Sequence, residues 1–192
     1  MKKICVFCGS SHGKNPLYED AAHQLGRVLV ENNLELVFGG GNVGLMGEIS
    51  RTVLCLGGKS TGVIPDALYR KVDMGDLTEL HVVADMHERK GKMYELSDAF
   101  IAIPGGIGTL EELIEIFTWG QLGYHSKPVG LLNTCGFYDL LLEFLSHMTK
   151  EEFLKSVHFN NLVVGNDPVQ LVTAITSFKP TAAEKWVRKH RS

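Results

Sequence analysis

Short apolar runs alternate with longer amphipathic segments along the chain. The continuous apolar runs predict seven strands, at residues 4–7, 34–38, 61–64, 80–84, 100–103, 129–132 and 162–164. Apolar residues at helical spacing predict helices at about residues 16–31, 45–56, 86–97, 110–122, 138–148 and 168–178. The polar stretch 66–79 reads as a loop with one helical turn at most.

This alternation of strand and helix predicts an α/β fold built as one doubly wound parallel sheet, with helices on both faces. Strands without polar interruptions are expected when helices cover both sides of the sheet. Ligands of such sheets bind beyond the carboxyl ends of the strands. Glycine-rich turns follow three of the predicted strands, at 8–11, 39–47 and 104–109, and we expect them to converge at that edge.

Length and composition narrow the class of protein. A chain of 192 residues with 44% hydrophobic residues suits one domain, placed at 1–179 and followed by a basic tail at 180–192. The formal net charge of −3 does not indicate the basic surface that nucleic-acid-binding proteins carry, so no nucleic-acid partner is expected. Because we see neither a signal peptide nor an apolar stretch of about 20 residues, we expect a cytoplasmic protein without a membrane partner.

Cys5 and Cys8 have the C-x-x-C spacing of redox and zinc sites. They lie within an apolar run predicted to be a strand, where residues three apart point to opposite faces. We therefore expect two buried, reduced thiols, which suit a reducing cytosol. No group of histidines, cysteines and acids shows metal-ligand spacing, so no metal is expected.

The turn 104–109 reads Pro-Gly-Gly-Ile-Gly-Thr and precedes a predicted helix. Backbone N–H groups of such a turn, together with the positive end of the following helix, bind phosphate. No lysine follows as in a P-loop, which argues against an ATPase. A structural explanation stays open at the same residues, since Thr109 and Glu112 also fit a capping box at the helix start.

The turn 39–44 reads Gly-Gly-Gly-Asn-Val-Gly and matches the G-x-G-x-x-G pattern of dinucleotide-binding proteins, with Asp66 about 20 residues later. An NAD-type oxidoreductase is therefore one alternative, although the pattern follows the second strand and not the first. A nucleotide-binding module without catalysis is another alternative.

A charged segment, Asp85-Met86-His87-Glu88-Arg89-Lys90, follows the fourth predicted strand. Charge runs on helices are usually solvated faces. Its position at the carboxyl end of a strand nevertheless makes a cation for the ligand plausible, because the planar fork of arginine suits phosphate or the edge of a purine.

Taken together, these motifs resemble one known family. Residues 104–112 have the form PGGxGTxxE, Arg89-Lys90 is the basic pair upstream of it, and 8–11 and 39–47 are similar to the family's first two loops. The chain thus resembles the Lonely Guy family of cytokinin-activating phosphoribohydrolases, whose members have often been labelled lysine decarboxylases. The similarity runs from about residue 3 to about residue 164.

The resemblance implies a Rossmann-like fold, usually dimeric, that hydrolyses N6-substituted adenosine 5′-monophosphates to the free base and ribose 5-phosphate. It implies Arg89 and Glu112 as the catalytic pair, and no cofactor. The remaining residues expected to bind the substrate or its phosphate are Gly9, Ser10, Gly41, Gly44, Met86, Lys90, Gly105, Gly106, Ile107, Gly108, Thr109, Leu110 and Glu111.

The chemistry of these residue types fits such a reaction. A carboxylate such as Glu112 stabilises the positive charge that builds on the sugar, or orients the attacking water. A guanidinium such as Arg89 offsets negative charge on the leaving adenine, although its pKa is too high for it to donate a proton. A decarboxylase using pyridoxal phosphate would need a Schiff-base lysine and a partner for the pyridinium nitrogen, which the sequence does not locate. Phe117 and Trp119, close together on one predicted helix, are either core residues or a dimer contact.

Overall fold

One parallel sheet forms the centre of the computed structural model, which describes residues 1–181. Its seven strands in that range are β1 (Lys3–Phe7), β2 (Glu35–Phe38), β3 (Ser60–Pro65), β4 (Glu79–Val83), β5 (Ala99–Ala102), β6 (Val129–Leu132) and β7 (Leu162–Gly165). The α-helices are α1 (Leu17–Glu31), α2 (Gly44–Cys55), α3 (Asp66–Tyr69), α4 (Met86–Leu96), α5 (Ile107–Leu122), α6 (Asp139–Lys150), α7 (Ser156–Phe159) and α8 (Pro168–Ser177). The basic residues of the predicted tail, Lys185, Arg188, Lys189, His190 and Arg191, lie outside the described residues.

The strands are ordered β4-β3-β2-β1-β5-β6-β7, and all neighbouring pairs are parallel. The chain therefore winds outward in one direction from β1 and in the other from β5. This order confirms the predicted α/β, doubly wound, Rossmann-like fold. The direction of winding reverses between β1 and β5, where Val6 pairs with Ile101, so the crevice that binds ligands in such folds opens beyond these two strands.

Successive side chains of β1 point to opposite faces of the sheet, and each face carries one layer of the core. Ile4, Val6 and Cys8 pack against the residues of α1, α2 and α8, whereas Cys5 and Phe7 pack against those of α4, α5 and α6. Cys5 and Cys8 thus face opposite sides of the sheet, as the strand pattern predicts, and both are buried free thiols. Each fully buried large side chain in these layers stabilises the fold by roughly 1.5–3 kcal/mol.

The largest differences from the sequence prediction lie at helix ends. Helix α5 begins at Ile107 with Gly106 as its N-cap, three residues before the predicted start, so Thr109 is already inside the helix. The capping-box interpretation of Thr109 and Glu112 is therefore wrong. The single predicted turn in 66–79 is α3, whereas the short helix α7 and a 3₁₀ turn at Thr134–Gly136 were not predicted. No helix within residues 1–181 is long and apolar enough to span a membrane.

Candidate active site

The three glycine-rich turns meet at the carboxyl edge of the sheet. The Gly9 amide donates a hydrogen bond to the Pro104 carbonyl (3.1 Å), and the Met46 amide donates to the Gly9 carbonyl (3.4 Å). Gly44 has a φ of +53°, and a Cβ there would overlap the Ser11 amide nitrogen. The turns after β1, β2 and β5 therefore touch one another beside the point where winding reverses.

The start of α5 supplies the features that a phosphate needs. The first four amides of an α-helix have no acceptor within the helix, and they carry the positive end of its dipole. Gly106, Ile107 and Gly108 are exposed there, and a Cβ added at either glycine would have no protein atom within 4 Å. Thr109 is buried instead, with its Oγ1 filling the position that a Cβ on Gly105 would occupy.

Helix α4 starts at a well-defined cap that places the basic pair. The Asp85 carboxylate accepts hydrogen bonds from the amides of His87 (2.8 Å) and Glu88 (2.9 Å). The Glu88 carboxylate in turn accepts from the Ala84 amide (2.8 Å). The hydrogen bonds from the Glu88 and His87 amides also lower the pKa of the Asp85 carboxyl group. A reciprocal cap therefore exists in this chain, but it fixes α4 and not α5.

Arg89 lies under the second glycine turn and contacts Glu112. Its Nη1 is 2.8 Å from the Glu112 Oε1, and its Nε donates to the carbonyl of Val63, near the end of β3 (3.0 Å). The side chains of Arg89 and Glu112 are only 12% and 10% exposed. Because a Cβ on Gly39 would overlap the Arg89 Nη2, this glycine makes the space in which the guanidinium sits.

Burial raises the pKa of the Glu112 carboxyl group, and the neighbouring Arg89 only partly opposes that shift. A carboxylate with little water around it interacts strongly with any charge that develops nearby. Glu112 therefore has the environment expected of a group that stabilises a cation or accepts a proton from water.

Lys90, the next residue of α4, pairs with two acids of α5. Its Nζ is 2.5 Å from Glu111 Oε1 and 3.0 Å from Glu115 Oε1. Burial lowers the pKa of Lys90, but the hydrogen bonds to Glu111 and Glu115 outweigh it, so that the net shift is upward. Lys90 is thus held as an ammonium group beside the Arg89–Glu112 pair.

The segment 66–79 covers the second glycine turn. The Asn42 amide donates to the Asp73 carbonyl (2.8 Å), and the Asn42 side chain donates to the Asp73 carboxylate (2.9 Å). Met74 lies against Gly40, where an added Cβ would be 2.8 Å from its Cε. Asp66 pairs instead with Arg70, the residue that follows α3 (2.9 Å). It follows β3, and β2 separates that strand from β1, where winding reverses.

The structure brings most of the predicted site residues together. Gly9, Ser10, Gly44, Gly105 and Glu112 lie on or directly beside the meeting turns, and Gly41 is buried next to Val72. Met86 is exposed as the first residue of α4, and Leu110 is half-buried on α5.

Three contacts at the site were not predicted, and they involve Gly39, Val63 and Glu115. The position of Glu115, four residues after Glu111, was a usable signal, because residues at that spacing share a helix face. The other two depend on how α4 packs against the ends of β2 and β3.

Phe117 and Trp119 are partly buried in the core layer that contains α4 and α5. The Trp119 ring packs edge-on against Tyr94, with 5.4 Å between ring centroids. This packing agrees with the core interpretation of the two residues.

Comparison with known proteins finds a matching family model and closely similar sequences. A family model described as "Possible lysine decarboxylase" matches residues 46–175. A probable cytokinin riboside 5′-monophosphate phosphoribohydrolase of Oryza sativa subsp. japonica is 47% identical over 189 residues, covering 98% of this chain and 77% of the relative. A cytokinin riboside 5′-monophosphate phosphoribohydrolase of Arabidopsis thaliana is 49% identical over 180 residues, covering 93% and 83%.

Among solved structures, the molybdenum cofactor carrier protein of Chlamydomonas reinhardtii has a similar fold, with a TM-score of 0.69 at 20% identity. The match covers 91% of this chain and 96% of that protein. At this identity the similarity concerns the fold alone.

Proposed function

The chain belongs to the family of cytokinin riboside 5′-monophosphate phosphoribohydrolases, and from this premise we propose how its site performs the reaction. The enzyme hydrolyses the N-glycosidic bond of an adenosine 5′-monophosphate and releases the base and ribose 5-phosphate. The observation that carries the mechanism is the buried Arg89–Glu112 pair, which lies beside three converging glycine turns.

The 5′-phosphate binds at the start of α5 in this proposal. Gly105, Gly106, Ile107, Gly108 and Thr109 offer backbone amides at the positive end of a 16-residue helix. The glycines leave room for a phosphoryl group to approach the backbone closely. Gly9 and Ser10 of the first turn, and Gly41 and Gly44 of the second, border the same crevice, while Met86, Leu110 and the Lys90–Glu111 pair flank it.

Glu112 and Arg89 then act at the two ends of the breaking bond. Cleavage leaves positive charge on C1′ and the bonding electron pair on the base nitrogen. The Glu112 carboxylate stabilises the charged sugar and orients a water molecule, whose oxygen bonds to C1′ and whose proton finally balances the charge on the base. Arg89 donates hydrogen bonds to the leaving base without losing its own proton.

Two observations favour this reaction over the alternatives. The G-x-G-x-x-G turn follows β2, whereas winding reverses between β1 and β5, so a dinucleotide would not sit as in NAD enzymes. Lys90, the basic residue beside Arg89, is held as an ammonium by Glu111 and Glu115, while a Schiff base needs a free amine.

We also propose that the protein is a homodimer. Ile107, Leu140, Phe144 and Phe153 expose 82%, 79%, 59% and 81% of their surfaces, and two of them lie one turn apart on α6. Contiguous exposed apolar patches mark contact surfaces, and Leu140 and Phe144, on one face of α6, form the centre of the proposed one. Light scattering should give twice the monomer mass for the native protein and the monomer mass for Phe144→Glu, and a monomeric native protein would contradict the dimer.

We propose a cytoplasmic location, with which the buried free thiols of Cys5 and Cys8 agree.

The activity itself is tested by incubating the full chain with AMP and with an N6-substituted AMP. Chromatography should detect the free base and ribose 5-phosphate in equal amounts. Glu112→Gln should form no product at a detectable rate, whereas the control Glu95→Gln should act like the native protein, because this exposed acid of α4 pairs only loosely with Lys92 (3.5 Å). Nucleotide binding without product would refute the enzymatic proposal.

A further inference from the structure

Two histidines and two glutamates converge on the opposite layer of the fold from Arg89 and Glu112. His12 lies in the loop after β1, Glu19 and His23 lie one turn apart on α1, and Glu48 lies on α2. The His12 Nδ1 is 3.1 Å from Glu19 Oε2 and 4.0 Å from Glu48 Oε1. The His23 Nε2 is 3.8 Å from Glu19 Oε1 and 3.3 Å from Glu48 Oε2. We call these four side chains the His₂Glu₂ cluster.

The spacing of these atoms suits one small cation. Nitrogen and oxygen ligands lie about 2.0–2.2 Å from zinc in a tetrahedral site, which puts neighbouring ligands roughly 3.3–3.5 Å apart. The four nitrogen–oxygen separations of 3.1–4.0 Å surround that value. His12 approaches Glu19 Oε2 and Glu48 Oε1, whereas His23 approaches the other oxygen of each carboxylate, so one ion held by all four residues requires the carboxylates to rotate or to bind through both oxygens. One donor atom each from His12, Glu19 and Glu48 also lie within 4.8 Å of one another.

Hydrogen bonding fixes which nitrogen of His23 faces the acids. The Thr52 hydroxyl donates its one proton to the Glu48 carbonyl (2.8 Å). At 2.7 Å from the His23 Nδ1, the same oxygen must therefore accept a proton from that nitrogen. The Nε2 is therefore the nitrogen that faces the Glu19 and Glu48 carboxylates. Such an outer hydrogen bond orients metal-binding histidines in the same way.

The arrangement of carboxylates and imidazoles in the cluster also favours a bound cation. Glu48 is mostly buried, with a side chain only 13% exposed, and the carboxylates of Glu19 and Glu48 face the two imidazole rings. Arg51 pairs with Glu48 Oε1 and with Asn42, so it offsets one of the two negative charges. Each imidazole nitrogen that faces a carboxylate needs a proton or a metal ion between the two, because a bare lone pair there is repelled.

We propose that the His₂Glu₂ cluster binds one zinc-class transition metal ion, which ties the loop after β1 to α1 and α2. Two imidazole nitrogens favour zinc, cobalt or nickel over magnesium or calcium, which prefer oxygen ligands. His12 belongs to the same loop as Gly9 and Ser10, and α2 starts at Gly44, which touches that loop. The metal is thus structural, and it steadies two of the glycine turns from outside the catalytic pair.

Calorimetric titration of the full chain with Zn²⁺, after dialysis against a chelator, tests the site. We expect one equivalent to bind, and His12→Ala and His23→Ala each to weaken binding at least about tenfold. His147→Ala, on α6, is the matched control and should bind like the native protein. Zn²⁺ should also raise the thermal midpoint of the native protein and of His147→Ala more than that of the two cluster variants.

Cobalt provides a readout that does not require the variants to fold. Co²⁺ bound by imidazole and carboxylate should give tetrahedral d–d absorption without a thiolate charge-transfer band. A thiolate band would assign the metal to the exposed Cys55 or Cys135 and overturn the proposal. Absence of saturable Zn²⁺ binding, or equal binding by native protein and both histidine variants, would overturn it as well.

Discussion

The Arg89 guanidinium and the Glu112 carboxylate lie 2.8 Å apart, although they come from different helices and are 23 residues apart in sequence. Both side chains are about nine-tenths buried. Removing two charges from water costs free energy that their attraction rarely returns in full, so apolar residues would stabilise this position as well or better. Fold stability alone therefore does not account for the pair, which supports the catalytic role that we propose for it.

The first prediction concerns Glu112→Gln. Glutamine keeps an oxygen that accepts from Arg89 but cannot carry the negative charge that stabilises the sugar cation. We expect kcat to fall at least about 100-fold, while nucleotide affinity changes little. Because burial raises the pKa of the native carboxyl group, we expect the stability of the variant at neutral pH to be equal or higher.

Steady-state kinetics, nucleotide titration and urea unfolding measure these three quantities. Glu95→Gln should leave all of them unchanged. Loss of binding and of stability together in Glu112→Gln would mean that the residue is structural.

The second prediction separates charge from packing at Arg89. Arg89→Ala removes the partner of a buried carboxylate, so we expect loss of activity and a fall of about 3 kcal/mol in the free energy of unfolding at neutral pH. The double variant Arg89→Ala with Glu112→Gln should recover part of that stability without recovering activity, because no unpaired charge remains. Urea unfolding of the four proteins measures the cycle, and additive losses would contradict the coupling.

The third prediction is a pH dependence with a definite sign. The pKa of Glu112 is raised in the folded protein, so the native state binds this proton more tightly than the unfolded chain does. The contribution to stability is complete below the ordinary glutamate pKa and is lost as pH rises through the folded value. Unfolding across this range should show the native protein losing stability relative to Glu112→Gln as pH rises.

The proposed mechanism requires the ionised form, so the acidic limb of the kcat profile should lie above the ordinary glutamate range. A limb within that range, or a stability difference that does not change with pH, would mean that Glu112 titrates as if it were in water.

The sequence predicts the sheet and the edge that holds the site, because these depend on local patterns. Apolar runs identify the strands, and glycine turns after three of them identify the edge. The start of α5 was placed three residues late. Thr109 and Glu112 matched a capping box, but Gly106 caps the helix and Thr109 packs against Gly105. Any serine or threonine that is followed three residues later by glutamate or glutamine matches a capping box. The residue at which the helix actually begins depends on how the preceding turn packs.

Such local patterns do not predict contacts between segments that are distant in sequence. The sequence places Arg89 at the right edge, but only packing shows that Gly39 makes space for it and that the Val63 carbonyl binds it. The same holds for the His₂Glu₂ cluster, where only Glu19 and His23 have a recognisable spacing. His12 and Glu48 reach them because α1 packs against α2.

The last prediction tests whether Gly39 sets the position of Arg89. A Cβ at residue 39 would overlap Arg89 Nη2, and the backbone of Gly39 does not need a positive φ, so Gly39→Ala should act through steric displacement alone. We expect the guanidinium to move from Glu112 and kcat/KM to fall about 100-fold, since a small misplacement of a catalytic group has effects of this size. Gly91→Ala is the control, because a Cβ on this residue of α4 meets no protein atom within 4 Å and alanine favours a helix by roughly 0.5–1 kcal/mol. Steady-state kinetics give kcat/KM for both variants. Equal kcat/KM values for Gly39→Ala and Gly91→Ala would contradict the prediction, because Arg89 would then function without the space that Gly39 provides.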